Sequence, residues 1–600
     1  MDGTLSFSGL VPTKMVGGIT PGGVATLTGN APGSTLLGFG VTDLTLQLTG
    51  TATTGSLAVG GNLAVAGLGT LGMSGSVAAN GDLALTNRIT SSTNIFGYPV
   101  SSGEFVLRHE GRNYRTILTG EPLVSGDQGD APLGYWRLGE TTGTTAADSK
   151  KTGTLNPGLP GTYFGGVTLG QSGALTGDAN SSAGFDGIND YVEINNKTAF
   201  DSISTAVTVE AWVKTAGWSK PWEALVTKGD SSWRLSRYNA SRQVAFDTTS
   251  SIAANGSQSL PGISIIDDNR WHHLVGVYDG VAKYLYVDGI LEAFTPYRES
   301  LAQNTFAVRI GENAQATGRY FKGQIDEVAL YARALTPLQV LTHYRAGGGS
   351  GLNAGLRYAF PGLGGVDLTG ILQPSGALSV QTSGALIPLT GFNLGTAAMS
   401  VIRTSSGSVN ALLGGTVSTP LGLVYVAGTI PSGGNYTLES SASGSLTVGD
   451  RTLTYSAPAK LTKSGFEATG TLSFGKFGFT GIAKVSTASV VSFTGSTSGT
   501  TDKKAFGLKL NGTPGHPYAW LTWNATGAYD GPSRTIKATV GGSITIEYEG
   551  PPNVYKQDTV TFPTADLQVS GNLTVTPGKT YIDIIRNVPV PSFNFTLPFP

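Results

Sequence analysis

The residues able to do chemistry in this chain are two adjacent acids, a histidine pair, a few aspartates in polar turns and a cluster of tryptophans. Hydrolysis of a glycosidic bond takes two carboxyl groups about 5–10 Å apart, and on a strand that means acids two residues apart on one face. Asp326-Glu327 are neighbours and are expected on opposite faces, and residues 130–347 hold no alternating acid pair on a strand. Of five histidines, His272-His273 stand together just before a strand. With no cysteine, disulfides, thiolate catalysis and Cys-ligated metals are excluded. Trp218, Trp222 and Trp233 lie close together, and the first two sit in AGWSKPWEA, a loop-like stretch. Indole is too large and apolar to stay wet without a reason. It either offers a stacking face, as sugar sites do, with Tyr238 beside it and Arg298 and Tyr320 on neighbouring loops, or it folds back on the protein edge. Phe185, Trp212 and Trp271 read as packing residues.

These groups need strands to position them. Arg270–Gly289 reads as a hairpin, with Leu274–Tyr278, a turn at Asp279-Gly280 and Tyr284–Val287, before Asp288-Gly289 bends the chain again. Asp-Gly between β-branched and aromatic runs is the strongest short hairpin signal, because glycine accepts positive φ. Thr205–Lys214 alternates: Val207, Val209, Ala211 and Val213 face one way, and Thr208, Glu210, Trp212 and Lys214 the other. Further strands are expected at Tyr135–Leu138, in Gly184–Ile194, in Ala224–Tyr238, around Val244–Asp247, in Phe306–Asn313 and in Gly323–Tyr331. A helix follows. Thr336 N-caps it, Pro337 suits its first position and Gln339 completes a capping box, with Leu338, Leu341 and Tyr344 expected to dock.

Either side of this region the sequence changes character. Glycine makes up 87 of 600 residues and charged residues only 13%, yet 39% are hydrophobic, so the chain is expected to fold, as an all-β protein with small polar residues outside. A loose motif recurs: Gly, an apolar residue two on, a second Gly six on, then alternating apolar positions. It occurs at Gly17, Gly75, Gly370 and Gly428, each reading as a hairpin that must stack on neighbours. Strands are expected at Glu104–His109 and Tyr114–Leu118, and linkers at Ser125–Gly134 and Gly347–Gly355. The division is therefore 1–125 repeat scaffold, 130–347 a central jelly-roll sandwich, 351–500 scaffold again, and 501–600 with longer strands that suit a separate sandwich. Residues 130–347 are expected to fold alone. A net charge of −1 supplies no field for nucleic acid or anionic membrane, and no run is long and apolar enough for a membrane helix. MDGTLSFSGL does not read as a signal peptide, and both ends read as those of a fragment or processed form.

YWRLGE, FDGINDYVEI, TVEAWVK, RWHHLVGVYDG, LYVDG and GQIDEVALYARALTP, in this order, resemble the laminin-G-like members of the concanavalin A-like lectin/glucanase superfamily, over roughly residues 130–347. The resemblance implies a jelly-roll of two antiparallel sheets and makes His272-His273 a feature of the fold. It also implies a structural Ca²⁺ near the rim, with Asp148 and Asp326 as ligands. Against this, Lys150 and Lys151 follow Asp148, and the alternative is a turn cap at Asp148 and an ordinary hydrogen-bonded acid at Asp326. The flanks loosely resemble Gly-rich repeats of bacterial surface and secreted proteins. The expected function is non-catalytic: an extracellular or cell-surface binding and adhesion protein. Its partner would be a polysaccharide or surface protein, contacted through Trp218, Trp222, Trp233 and Tyr238, with self-association through the repeats. The alternatives are a structural component of a surface layer or fibre, and an ancillary part of a larger glycan-active enzyme.

Overall fold

In the computed structural model the regular structure of the described residues is almost entirely antiparallel strand. The described residues run from 2 to 570, except 6–11, 52, 79–81, 110–116, 119–129, 151–157, 195–197, 252–256, 297–299, 420–421, 441–443, 449–450, 456–458, 475–476, 489–490, 501–503, 506–517, 531–534 and 551–553. Two compact units are distinguished, Met1–Ile387 with Gly395–Gly415 and Thr429–Asn435, and Pro388–Leu394 with Thr416–Gly428 and Tyr436–Pro600.

In the first unit, strands Thr13–Ile19, Ala25–Asn30, Phe39–Gly50, Gly55–Val65, Gly69–Val77, Leu83–Ile89 and Tyr98–His109 pair in succession. Tyr98–His109 then pairs with Leu352–Tyr358, which continues into Val366–Leu372 and Leu378–Leu389. The central sandwich thus enters and leaves between two hydrogen-bonded neighbours of one ladder. This corrects the linker expected over Gly347–Gly355: Leu352 onward is strand, with Asn353 opposite Val106 and Gly355 opposite Glu104. The strand expected at Tyr114–Leu118 is also corrected where it is described, since Ile117 and Leu118 are helical and buried. The first half of Ser125–Gly134, residues 125–129, lies outside the described residues.

The recurring glycines have one physical cause. Gly17, Gly75 and Gly370 each stand opposite the residue ten further on, Leu27, Leu85 and Val380. A Cβ on any of the three would lie 1.9 Å from the carbonyl oxygen of the residue nine on. At Gly428 the corresponding distance to the Thr437 oxygen is 2.3 Å. The returning strand approaches too closely for any side chain, so these positions admit glycine alone.

The sandwich has two eight-stranded sheets. The first runs Thr168–Ser172, Ser181–Asp186, Lys322–Tyr331, Val207–Lys214, Trp271–Tyr278, Ala282–Val287 and Ile290–Pro296, with Gly134–Trp136 also on Lys322–Tyr331. The second runs Thr145–Ala146, Gly161–Phe164, Tyr191–Ile194, Arg309–Ile310, Ala224–Thr227, Trp233–Arg237, Val244–Thr249 and Ser257–Pro261. Asp279-Gly280 makes the expected turn, with Asp279 Oδ1 accepting from the N–H groups of Val281 and Ala282. Asp288 and Gly289 both have positive φ, 52° and 76°, the signature of a two-residue type I′ turn between Val287 and Ile290.

Val207, Val209, Ala211 and Val213 face the interior with Trp233, Leu235 and Phe246 of the second sheet. The other face of the first sheet is buried too. Trp212, Val275, Val277, Tyr284, Tyr286 and Phe294 pack with Val340 of the helix Pro337–Ala346 and with Ala398 and Ile402 of the scaffold. Polar contacts fasten the same face: Gln381 Nε2 donates to Tyr286 Oη at 2.5 Å, and the Leu291 N–H to Ser379 Oγ at 3.0 Å. The helix carries the expected capping box at Thr336 and Gln339. Leu341 is buried, but Leu338 is 51% exposed, and Val340 and His343 take the buried positions instead.

The second unit is a ladder of longer strands. Gly465–Phe474 pairs with Phe477–Ser486, which continues through Val491–Thr500, Tyr518–Asp530 and Thr535–Gly550 to Val554–Ser570. Val491–Thr500 pairs directly with Tyr518–Asp530, so hydrogen bonding crosses the boundary expected at 501. The strand expected in KTYIDIIRNV lies outside the described residues.

Candidate functional site

The loop before Ala224–Thr227 is built around Glu223. This carboxylate is fully buried and accepts from the backbone N–H groups of Ser219, Lys220 (2.7 Å) and Lys322 (3.1 Å). Arg237 ties the loop to the next one, donating to the carbonyls of Lys220, Ala240 and Ser241. The Trp222 N–H donates to the Asn239 carbonyl at 2.9 Å. So held, Trp222 has φ of +59°, a left-handed conformation that strains a bulky residue by about 1–3 kcal/mol. Its ring is half-buried and meets Tyr238 edge to face at 5.8 Å and 84°. The guanidinium groups of Arg234 and Arg319 lie 5.5 and 6.0 Å from the indole centre.

A second aromatic station lies on the outer side of the same sheet. Phe164, 40% exposed, stacks on Tyr191 at 4.8 Å and 14°. Arg309 covers Tyr191 at 4.3 Å, Tyr320 lies 6.5 Å from Tyr191, and Lys220 sits 5.1 Å over Tyr320. Burial, then the nearby Glu312 carboxylate, raises the Tyr320 hydroxyl above its ordinary pKa. Arg319-Tyr320 joins the two stations along the chain. The guanidinium groups are paired: Arg309 with Glu193 (2.9 Å) and Glu312 (2.6 Å), Arg234 with Asp230 (3.0 Å) and Asp247 (2.9 Å), Arg319 with Asp230 (2.7 Å).

Two antiparallel sheets around one core, with a capped helix closing the last strand, are the setting of this strip. The family model described as concanavalin A-like lectin/glucanases superfamily matches residues 186–341. This module belongs to that superfamily. No curated protein matches the chain. Among solved structures, domain 4 of AbnA, a GH43 extracellular arabinanase from Geobacillus stearothermophilus, in complex with arabinotriose, is 21% identical. The match covers 36% of this chain and 98% of that one, with a TM-score of 0.27. The Botulinum neurotoxin serotype D binding domain is 12% identical, over 61% and 96%, with a TM-score of 0.28.

Within the lectin-like module the four tryptophan-loop residues part company. Trp222 and Tyr238 meet at the surface. Trp233 is corrected to the core: it is 1% exposed and packs with Leu235 and Phe246, because its strand turns odd-numbered residues inward. Trp218 is half-buried, edge to face with Phe321 at 6.0 Å, its indole N–H donating to the Arg242 carbonyl. Arg298 lies outside the described residues. Phe164, Tyr191, Arg234, Arg309 and Arg319 were not singled out from sequence; the available signal was alternation, since Phe164 follows buried Tyr163 and Tyr191 precedes buried Val192.

The acids expected to hold calcium are engaged elsewhere. Asp148 accepts from the N–H groups of Tyr135 and Lys150, both 3.0 Å, and of Leu159, 2.8 Å. Asp326, fully buried, accepts from Ala174 N–H at 2.8 Å and Glu327 N–H at 3.0 Å. Among the described residues no group of three or more His, Asp or Glu side chains is arranged for a metal. Every oxygen of these two carboxylates already takes a backbone donor, so the pair does not fit a shared Ca²⁺. Glu327 lies at a bulge with φ of +51°, where the pairing with Val207–Lys214 skips a residue. At the bulge Glu327 joins a buried network with Tyr135, Arg137 and Asn180, and its backbone N–H donates to Asp326 Oδ1. Burial, and for Asp326 the charge of Glu327, raises both carboxyl groups above their ordinary range. Neither has exposed surface for a substrate to reach.

Proposed function

We propose that the lectin-like module is a non-catalytic glycan-binding unit of an extracellular or cell-surface protein, and that the glycan lies on the outer face of its second sheet against Trp222 and Tyr238. The observation that carries this reading is Trp222 itself. A bulky residue is held half-exposed in a left-handed backbone by a buried carboxylate and an arginine, where glycine would be unstrained. Such strain persists where the surroundings over-determine it, which is the usual condition of ligand sites. The superfamily to which the module belongs supports a binding role, and the burial of Asp326 and Glu327 speaks against using them on a substrate.

The structural alternative, a component of a surface layer or fibre, draws support from the covered outer face of the first sheet, which packs on scaffold residues Ala398 and Ile402. Retention of the full chain on a panel of polysaccharides separates the two. Trp222→Gly and Tyr238→Ala should weaken retention while Trp222→Gly leaves stability within about 0.5 kcal/mol of the parent or slightly raises it. Trp233→Ala, by contrast, should cost about 3–5 kcal/mol. A Trp222→Gly protein that is strongly destabilised, or that binds like the parent, removes the site.

A further inference from the structure

We infer that the ligand of this strip is an uncharged oligosaccharide several units long, rather than a sulfated, sialylated or uronate-bearing one; the inference rests on the proposed glycan site. The first ground is charge. Four cations line the strip, Arg234, Arg309, Arg319 and Lys220, against four carboxylates, Asp230, Asp247, Glu193 and Glu312. Each arginine is within 3.0 Å of at least one of these carboxylates. Immediately beyond Tyr238, Arg242 is likewise paired with Asp267 at 2.6 Å. An anionic sugar would have to displace a carboxylate from its guanidinium, or sit beside that carboxylate, and either costs more than one new contact returns. Neutral hydroxyls meet no such conflict. They donate to the part-exposed carboxylates of Asp230 and Glu193 and accept from guanidinium N–H groups, while sugar C–H faces lie on the aromatic rings.

The second ground is reach. Gly161–Phe164, Tyr191–Ile194, Arg309–Ile310, Ala224–Thr227 and Trp233–Arg237 are successive neighbours. Four inter-strand steps of roughly 4.8 Å separate the Phe164 strand from the Arg234 strand, roughly 19 Å in all. Phe164 lies on the first of these strands and Tyr238 directly follows the last, so the strip as a whole suits a chain and exceeds a single ring.

The test uses the full chain with four immobilised probes: an uncharged β-glucan, an uncharged arabinan, polygalacturonate and heparin, at about 0.05 and about 0.5 M NaCl. The expected result is retention on an uncharged probe that changes less than about twofold with salt, and a loss of about tenfold in Trp222→Gly and in Phe164→Ala. Asp230→Asn, which takes the carboxylate from Arg319 while Arg234 keeps Asp247, should add salt-sensitive retention on the anionic probes. Retention on the anionic probes alone, falling steeply with salt and lost in Trp222→Gly, overturns the neutral class and leaves the site standing. Retention on no probe, or retention indifferent to Trp222→Gly, overturns the site and this inference with it.

Discussion

Trp222 and Gly370 use one constraint in opposite ways. Trp222 occupies a left-handed backbone that favours glycine, held there by its loop's hydrogen bonds. Gly370 occupies a strand where any other residue collides, its Cβ position lying 1.9 Å from the Ser379 oxygen. The collision is with backbone, which cannot swing aside as a flexible side chain does. Gly370→Ala should therefore lower the stability of the first unit by more than about 2 kcal/mol. Gly355, one strand away, has nothing within 4 Å of its Cβ position, and Gly355→Ala should be neutral or stabilising by up to about 1 kcal/mol. Denaturant melts of the two variants beside the parent check this, and equal effects would refute the close-approach account of the repeat. The recurrence of the glycine was legible in the sequence; the carbonyl facing it was not, because cross-strand distance leaves no trace in spacing.

The helix Pro337–Ala346 is held by a buried ion network as well as by Val340 and Leu341. Glu210 accepts from His273 Nε2 at 2.7 Å and from His343 Nδ1 at 3.0 Å, and His343 Nε2 reaches Asp130 at 2.7 Å. Tyr331, Gln339 and Arg333 complete its surroundings. Burial alone would lower the pKa of His343, but the charge of Glu210 and the hydrogen bonds to Asp130 and Glu210 outweigh it and push it up to about 9. Burial would likewise raise Glu210, and the charge and hydrogen bonds of His343 and His273 instead hold it well below the usual carboxylate range. A raised histidine contributes stability that is complete below its unfolded pKa of about 6.5 and lost as pH rises through the folded value. The melting temperature of the first unit should thus fall between pH 7 and about 9.5, by the equivalent of up to about 3 kcal/mol. His343→Gln should start lower and lose most of that slope. An unchanged alkaline slope in the variant would assign it to other groups. The capping box was readable from T-x-x-Q, but the ion pairs were not, since Asp130, Glu210, His273 and His343 are far apart in sequence.

At the scale of the molecule, the first sheet of the module faces its scaffold. Val275, Val277, Tyr284, Tyr286 and Phe294 pack with Ala398 and Ile402, and burying side chains of this size contributes about 1.5–3 kcal/mol each. Residues 130–347 expressed alone would expose part of that face. The fragment should melt below the same module in the full chain and bind an apolar dye, in contrast to the independent folding that the flanking linkers imply. A fragment matching the full chain in stability, without dye binding, would show that the docked face contributes little.

The sequence alone determined what depends on local order: strand alternation, the Asp-Gly turns, the capped helix, the resemblance carried by six ordered blocks and the Gly-rich flanks. Those follow from backbone sterics and side-chain periodicity, which act over a few residues. Tertiary structure decided the rest. It turned the polar-looking face of Thr208, Glu210 and Trp212 into a buried one by laying a helix and scaffold over it. It set Glu327 at a bulge that alternation cannot reveal, and it took Trp233 into the core while leaving Trp222 at the surface. Each of these depends on which segments come to lie against one another across long stretches of chain, and contact of that kind is set by packing, not by spacing.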